Sequence, residues 1–213
     1  MSGSRGTHNF NGFISFEGIE GSGKSTQAKL AADYLKGKGR DVLITEEPGG
    51  TKISRKIRGI LLDAGNNMDP LTELLLYNSA RAQHVREIIY PALTRGIIVI
   101  TDRFSDSTLA YQGYARGIDL AVIKTLDDIV APDLKPSLTF LLDMDVEEGL
   151  RRNRAAKKED RFELETVEFH KKVRNGYHQI AVEEPDRIKI IDASASVGDV
   201  SKKIIEILES QWL

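Results

Sequence analysis

Short apolar runs alternate along the chain with longer stretches in which apolar residues recur at helical spacing. The first run is Phe13 to Glu17; after a glycine-rich break, Thr26 to Lys36 places Ala28, Leu30, Ala31, Ala32 and Leu35 on a helical pattern. Val42, Leu43 and Ile44 give a second strand that enters the turn Glu46-Glu47-Pro48-Gly49-Gly50. Ile53, Ile57, Ile60 and Leu61 then predict a helix with a buried stripe and Arg58 on another side. Asp69 reads as an N-cap, with Pro70 at the first position of a long helix through Leu74, Leu75, Tyr77, Arg81 and Val85, punctuated by Pro91. Ile97 to Ile100 is an unbroken β-branched run, the mark of a strand buried on both faces, and it delivers Asp102 and Arg103 at its C-terminal end.

The alternation continues with helices over Asp106 to Tyr114 and Leu120 to Val130, then a strand at Leu138 to Leu142 stopped by Asp143. Asp145 and Glu148 resemble a capping box opening a helix through Leu150. A helical run from Glu163 to Glu183, a fifth strand at Ile188 to Ile191 and a closing helix from Val197 complete the pattern. Strands alternating with helices predict an α/β fold, a five-stranded, doubly wound parallel sheet. The 213 residues fit one domain, residues 13–213, in preference to two small ones, and Met1 to Gly12 reads as a flexible leader, native or a tag.

Composition narrows the class. With 40% apolar and 29% charged residues the chain is ordinary for a globular protein, and a net charge of -2 argues against one built to coat nucleic acid. The absence of cysteine excludes disulfides, thiolate metal sites and cysteine nucleophiles, and fits a reducing compartment. No apolar run approaches the ~18 residues of a membrane span, so the expected address is the cytoplasm and no membrane partner is expected.

The chemistry centres on Gly18 to Ser25, GIEGSGKS, which matches G-x-x-x-x-G-K-[ST] without a mismatch and lies between a strand and a helix, as a P-loop must. Glycines let successive backbone N–H groups point at phosphate oxygens, and the new helix adds the positive end of its dipole. Gly18, Ile19, Glu20, Gly21, Ser22, Gly23, Lys24, Ser25 and Thr26 are therefore the expected ATP site. Lys24 supplies a charge for the β and γ phosphates, and the Ser25 hydroxyl a ligand for Mg²⁺.

Further motifs stand downstream: Glu47-Pro48-Gly49-Gly50, the Tyr77-x-x-x-Arg81 pair, Asp102 to Gln112 (DRFSDSTLAYQ) followed by Gly113, and a basic stretch ending in Asp160-Arg161-Phe162. In order and spacing these resemble thymidylate kinases of the bacterial and archaeal kind, from about Phe13 to the C-terminus. The resemblance implies a P-loop NTPase fold of the nucleoside monophosphate kinase type, transfer of a phosphoryl group from ATP to dTMP in dTTP synthesis, and a homodimer. It implies that Tyr77 stacks on thymine, that Arg81, Thr108 and Gln112 bond or line the base, and that Tyr111 stands against C2′ of the sugar. Glu20 matches an acid near the 3′-hydroxyl and the metal's solvent, Arg58 and Arg103 the arginines on the acceptor phosphate, Glu47 the acid of the Pro-Gly-Gly turn, and Asp102 a group acting on the Mg²⁺ shell.

A lid at about 151–163 is expected to bring cations over the phosphates, with Arg152, Arg154 and Arg161 beside Lys24 and Arg103 as the catalytic charges. Arg151, Lys157 and Lys158 share that stretch, with Glu159 and Asp160 its acids. Gly21 stands where the eukaryotic branch carries an arginine, so here the lid must supply that charge. Glu46 departs from the arginine that many bacterial relatives have before Glu-Pro-Gly-Gly. Taken singly, Tyr77 is as readily a core residue, Arg58 and Arg81 surface cations, and the basic stretch a solvated helix face. A GTP-dependent switch is disfavoured because no Asn-Lys-x-Asp motif occurs; a kinase for another nucleoside or nucleoside monophosphate is the closer alternative.

Overall fold

The computed structural model describes residues 12–155 and 161–212. Five strands, β1 (Phe13–Glu17), β2 (Val42–Glu46), β3 (Ile98–Asp102), β4 (Leu138–Asp143) and β5 (Ile188–Asp192), form one parallel sheet in the order β2-β3-β1-β4-β5. Every residue of β1 is buried, as an interior strand under helices on both faces requires. Phe13 packs with Val85 and Phe104 on one side of the sheet, while Ile14 and Phe16 pack with Leu35 and Phe140 on the other.

Helices α1 (Lys24–Gly37), α2 (Lys52–Leu62) and α3 (Pro70–His84) follow the pattern of the sequence, and Asp69 caps α3 as expected, its Oδ1 accepting from the N–H groups of Leu71 and Thr72. Beyond α3 the chain continues through a π-helical turn, Val85–Ile89, into α4 (Tyr90–Leu93). After β3 come α5 (Ser105–Thr108) and a second π-helical segment, Leu109–Ala115, where an ordinary helix was expected. The wider winding turns Ala110, Tyr111, Gln112 and Gly113 all inward, more consecutive residues than the ~100° face of an α-helix accommodates. Then come α6 (Leu120–Val130), α7 (Val146–Ala155), a 3₁₀ turn at Arg161–Leu164, α8 (Val167–Glu183) and α9 (Val197–Trp212). Asp145 caps α7, but Glu148 does not complete a capping box; its carboxylate accepts from Arg151 and Arg152 instead.

Of the stripe expected to be buried on α2, Leu61 is buried and Ile57 partly so, but Ile53 and Ile60 are not. Ser54 and Leu61 face inward, whereas Ile53 and Ile60 are about half exposed at 51% and 48%. On neighbouring α3, Leu74 enters the core while Leu71 and Leu75 stay open. Among the described residues no helix is long and apolar enough to cross a membrane. The leader residues 1–11 and Lys157, Lys158, Glu159 and Asp160 of the expected lid lie outside the described residues.

The chain leaves β1 for the β2 edge and leaves β3 for β4 on the far side, so its connections diverge between these two adjacent strands. Open parallel sheets bind ligands at the C-terminal end of such a junction. Register puts Phe16 beside Asp102 and Asp102 beside Glu46, which brings the ends of β1, β2 and β3 to one place.

Candidate active site

The loop from Gly18 to Gly23 joins β1 to α1 at that junction. Gly23 caps α1 in the left-handed region at φ 91° without a side-chain bond, leaving the helix's first N–H groups for an anion. At Gly21, φ 73°, an added Cβ would lie 2.0 Å from the Gly149 carbonyl oxygen of α7; one at Gly149 would lie 2.6 Å from that of Glu20. Lys24 is 8% exposed, its Nζ donating to Ile19 O at 2.7 Å, and burial, with Arg103 adding to it, pushes its pKa down to about 8. Glu20, Gly21, Gly23, Lys24, Ser25 and Thr26 line a cavity of about 400 Å³. Gly18, Ile19 and Ser22 stand behind it and shape the loop from inside.

The Ser25 hydroxyl donates to Asp102 Oδ2 at the cavity wall. Among the described residues no group of three or more acidic, histidine or cysteine side chains could hold a metal by itself. A hydroxyl and one carboxylate, both hard oxygen donors, suit Mg²⁺, which keeps several waters and takes its remaining ligands from phosphates.

Arg103 follows Asp102 in the left-handed region, φ 71°, fixed by its own N–H to Phe16 O at 3.0 Å and by Thr101 Oγ1 donating to its carbonyl at 2.8 Å. Its guanidinium donates to Gly18 O (2.9 Å), Ser107 Oγ (3.2 Å), Tyr177 Oη (3.0 Å), Glu20 Oε1 (3.0 Å) and Tyr111 Oη (3.1 Å). Tyr111 Oη donates to the same Glu20 oxygen at 2.6 Å, and His170 Nδ1 lies 3.3 Å from the other. Burial pushes the Glu20 carboxyl up, but His170, Arg103, Lys24 and Tyr111 outweigh it and hold the group well below the usual range. Glu17, fully buried beneath, accepts from Ser15, Phe104 N, Ser107 and Tyr177.

Arg81, which lines the same cavity, is 2% exposed. It donates from Nε to Glu47 Oε2, from Nη1 to Asp127 Oδ1 and from Nη2 to Thr108 Oγ1, each at 2.8 Å. His84 backs the same carboxylate, 3.0 Å from Glu47 Oε1, and is itself 2.6 Å from Thr45 Oγ1. Burial opposes ionisation of Glu47, and Arg81 and His84 overcome it, so its pKa is lowered. A guanidinium has five N–H groups, so these bonds leave donors for a ligand. Gln112 gives Nε2 to Glu73 Oε1 at 2.7 Å. Arg58 Nη1 donates to Pro48 O at 2.7 Å and lies 3.5 Å from Glu46 Oε2, which gives Glu46 a local charge partner.

All nine residues assigned by resemblance to the acceptor nucleotide, Glu20, Glu47, Arg58, Tyr77, Arg81, Arg103, Thr108, Tyr111 and Gln112, line the cavity that the loop lines. The lid arginines divide. Arg152 lines the cavity while bonded to Glu148 Oε1 and Ala193 O; Arg154 is exposed on α7. Arg161 does not line it: its guanidinium lies 2.6 Å from Glu73 Oε2 and donates to Leu61 O at 3.0 Å, over the Phe162 ring. Sequence reasoning passed over Glu17, Glu73, His84, Asp127, His170 and Tyr177. Glu73 alone carried a signal, since Glu73, Tyr77 and Arg81 recur every four residues on one helix face.

A sequence model of the thymidylate kinase family matches residues 16–204. The chain is 53% identical over 199 residues to the thymidylate kinase of Geotalea uraniireducens, covering 90% of this chain and 93% of that one. It is 50% identical over 207 residues to that of Pelobacter propionicus, covering 93% and 94%. The crystal structure of thymidylate kinase from Ehrlichia chaffeensis is similar to it with a TM-score of 0.76 and 38% identity, over 92% of this chain and 97% of that one.

Proposed function

The chain belongs to the thymidylate kinase family, and from that premise we propose how its residues share the transfer of the terminal phosphoryl group of ATP to dTMP. The products are ADP and dTDP, a step toward dTTP. The observation that supports the assignment of residues is one cavity lined both by the phosphate loop and by Tyr77, Arg81, Thr108 and Gln112. Such a cavity takes a donor phosphate chain and an acceptor nucleotide head to head.

A phosphate oxygen of dTMP is already a competent nucleophile, so the protein needs no general base; it must align that oxygen with the γ-phosphorus and offset charge. The loop N–H groups and Lys24 hold the β and γ phosphates. Arg58 and Arg103 receive the acceptor phosphate, and both are fixed by backbone carbonyls before substrate arrives, which spares reorganisation at the moment of transfer. Ser25 and Asp102 would hold Mg²⁺, which when bound neutralises the β and γ oxygens. Arg152 serves the ATP end, and Arg154, exposed on α7, supplies a lid cation to the transferring group. Tyr111, bonded to Glu20 and Arg103, presents its ring beside the sugar and excludes a 2′-hydroxyl.

We assign this activity to a cytoplasmic homodimer. The cysteine-free sequence supports the compartment, and the open apolar residues Ile53, Ile60, Leu71 and Leu75 of adjacent α2 and α3 support the assembly. A panel of dTMP, dUMP, dCMP and UMP with ATP, followed by ADP release, tests the function. Turnover is expected highest with dTMP and lowest with UMP; equal turnover of all four would overturn the reading.

A further inference from the structure

We propose that Glu73 is a positioning residue for base selection: its carboxylate fixes the amide of Gln112 so that the carbonyl oxygen, not the nitrogen, is presented to the acceptor base. The inference rests on the dTMP kinase reading and adds to it a group that does not touch the nucleotide. Glu73 is completely buried on α3. Its Oε1 accepts from Gln112 Nε2 at 2.7 Å and from Arg116 Nε at 3.3 Å; its Oε2 accepts from Arg116 Nη2 at 3.2 Å and lies 2.6 Å from Arg161 Nη2.

A carboxylate flanked by two guanidiniums has only lone pairs to offer, so it accepts an amide N–H and repels an amide C=O. Rotating the Gln112 amide by half a turn would set oxygen against oxygen in a buried place. The amide nitrogen is thus committed to Glu73, and the carbonyl oxygen, which has no protein partner among the described residues, is what the amide offers to the cavity that Gln112 lines. Arg81, which lines the same cavity, offers only donors to it.

One donor beside one acceptor is the complement of the O4 acceptor and N3–H donor of thymine. Cytosine inverts both, with an N4 amine and an unprotonated N3. Arg81 therefore reads one atom of this pair and Gln112 the other, and Gln112 can do so only while something holds its amide one way round. Arg116 and Arg161, from the π-helical segment's end and the 3₁₀ turn, hold that carboxylate in place from its other sides.

The test compares kcat and KM for dTMP and dCMP in the wild type, Glu73→Gln, Gln112→Met and the double variant, with melting temperature followed throughout. A glutamine at 73 both donates and accepts, so it permits either orientation of the Gln112 amide. Glu73→Gln is expected to narrow the dTMP to dCMP ratio of kcat/KM by about tenfold or more, through KM for dTMP, with kcat within about threefold of the wild type. Gln112→Met should narrow it similarly, and Glu73→Gln should change the ratio no further in that background. An equal loss on both substrates in Glu73→Gln would reduce Glu73 to a structural anchor and overturn the proposal. So would an unchanged ratio in Gln112→Met, the arm that decides the matter should Glu73→Gln not fold. A wild type without preference for dTMP would instead sink the functional reading, and this inference with it.

Discussion

Arg81 Nε donates to Glu47 Oε2 over 2.8 Å with both side chains withdrawn from solvent, so the residue expected to read the base is also half of a buried ion pair. Removing one partner of such a pair leaves the other charged and uncompensated, at a cost of about 3–5 kcal/mol. Arg81→Ala is therefore expected to lower the melting temperature by about 10 °C for a chain of this size. It should also depress dTMP turnover and narrow the dTMP to dCMP ratio. A melting temperature within about 2 °C of the wild type, less than ~1 kcal/mol for this size, would show that the pair does not hold the site together.

Lys24 is buried at a cost, and among the described residues its Nζ donates to Ile19 O and to no carboxylate. Lys24→Ala should thus fold with an undiminished melting temperature while phosphoryl transfer falls by at least ~10². Activity surviving within about threefold, under ~1 kcal/mol of barrier, would remove Lys24 from the reaction.

The same burial sets a pH dependence. With a pKa lowered to about 8, Lys24 in the free enzyme carries its charge below that pH and loses it above. The value of kcat/KM for ATP is therefore expected to fall as pH rises through about 8, while kcat holds to higher pH because bound phosphates favour the cation. The contribution to folding runs the other way: the cost of burying the cation is present below about 8 and relieved as pH climbs toward the ordinary lysine value. A pH profile of kcat/KM for ATP that stays flat to pH 9.5 in ~0.1 M salt would contradict this placement of Lys24.

The lid arginines should separate by which quantity they move. Arg154 is exposed, so Arg154→Ala ought to leave the melting temperature alone and lower kcat by about tenfold or more, as a group acting late in transfer does. Arg161 holds the buried Glu73, so Arg161→Ala ought to cost about 1–3 kcal/mol of stability and change kcat less. The reverse pattern in paired melting and kinetic measurements would show that Arg161 leaves Glu73 to reach the phosphates.

The order of elements was legible because the strands are short apolar runs and several of the helices carry a local cap. Asp69 and Asp145 cap where their side chains say they should, since a cap depends only on the next few residues. The stripe of α2 held only in part, at Leu61, because apolar spacing says which residues share a face and not whether the fold covers it. Tyr77, Arg81, Thr108, Tyr111 and Gln112 were assigned by resemblance, and all five line one cavity. The groups behind the site, Glu73, His84, Asp127 and His170, were not found, because, the spacing of Glu73 aside, their partners lie across the fold and a buried charge looks like any other in a sequence. Glu46 belongs to the same class: its match is Arg58, one helix on, and only the folded turn brings the two together.

Gly21 and Gly149 touch backbone to backbone, so the glycine-rich loop and α7, which leads into the expected lid, are fitted to each other rather than merely adjacent. Neither position admits a side chain while the other segment stays where it is. A phosphate loop carrying arginine at position 21 is therefore not a part that could be transplanted alone into this chain; α7 would have to be exchanged with it. Loop-borne and lid-borne charge become alternative designs separated by a paired change, and a lineage drifting one substitution at a time meets a steric barrier between them before any question of catalysis arises.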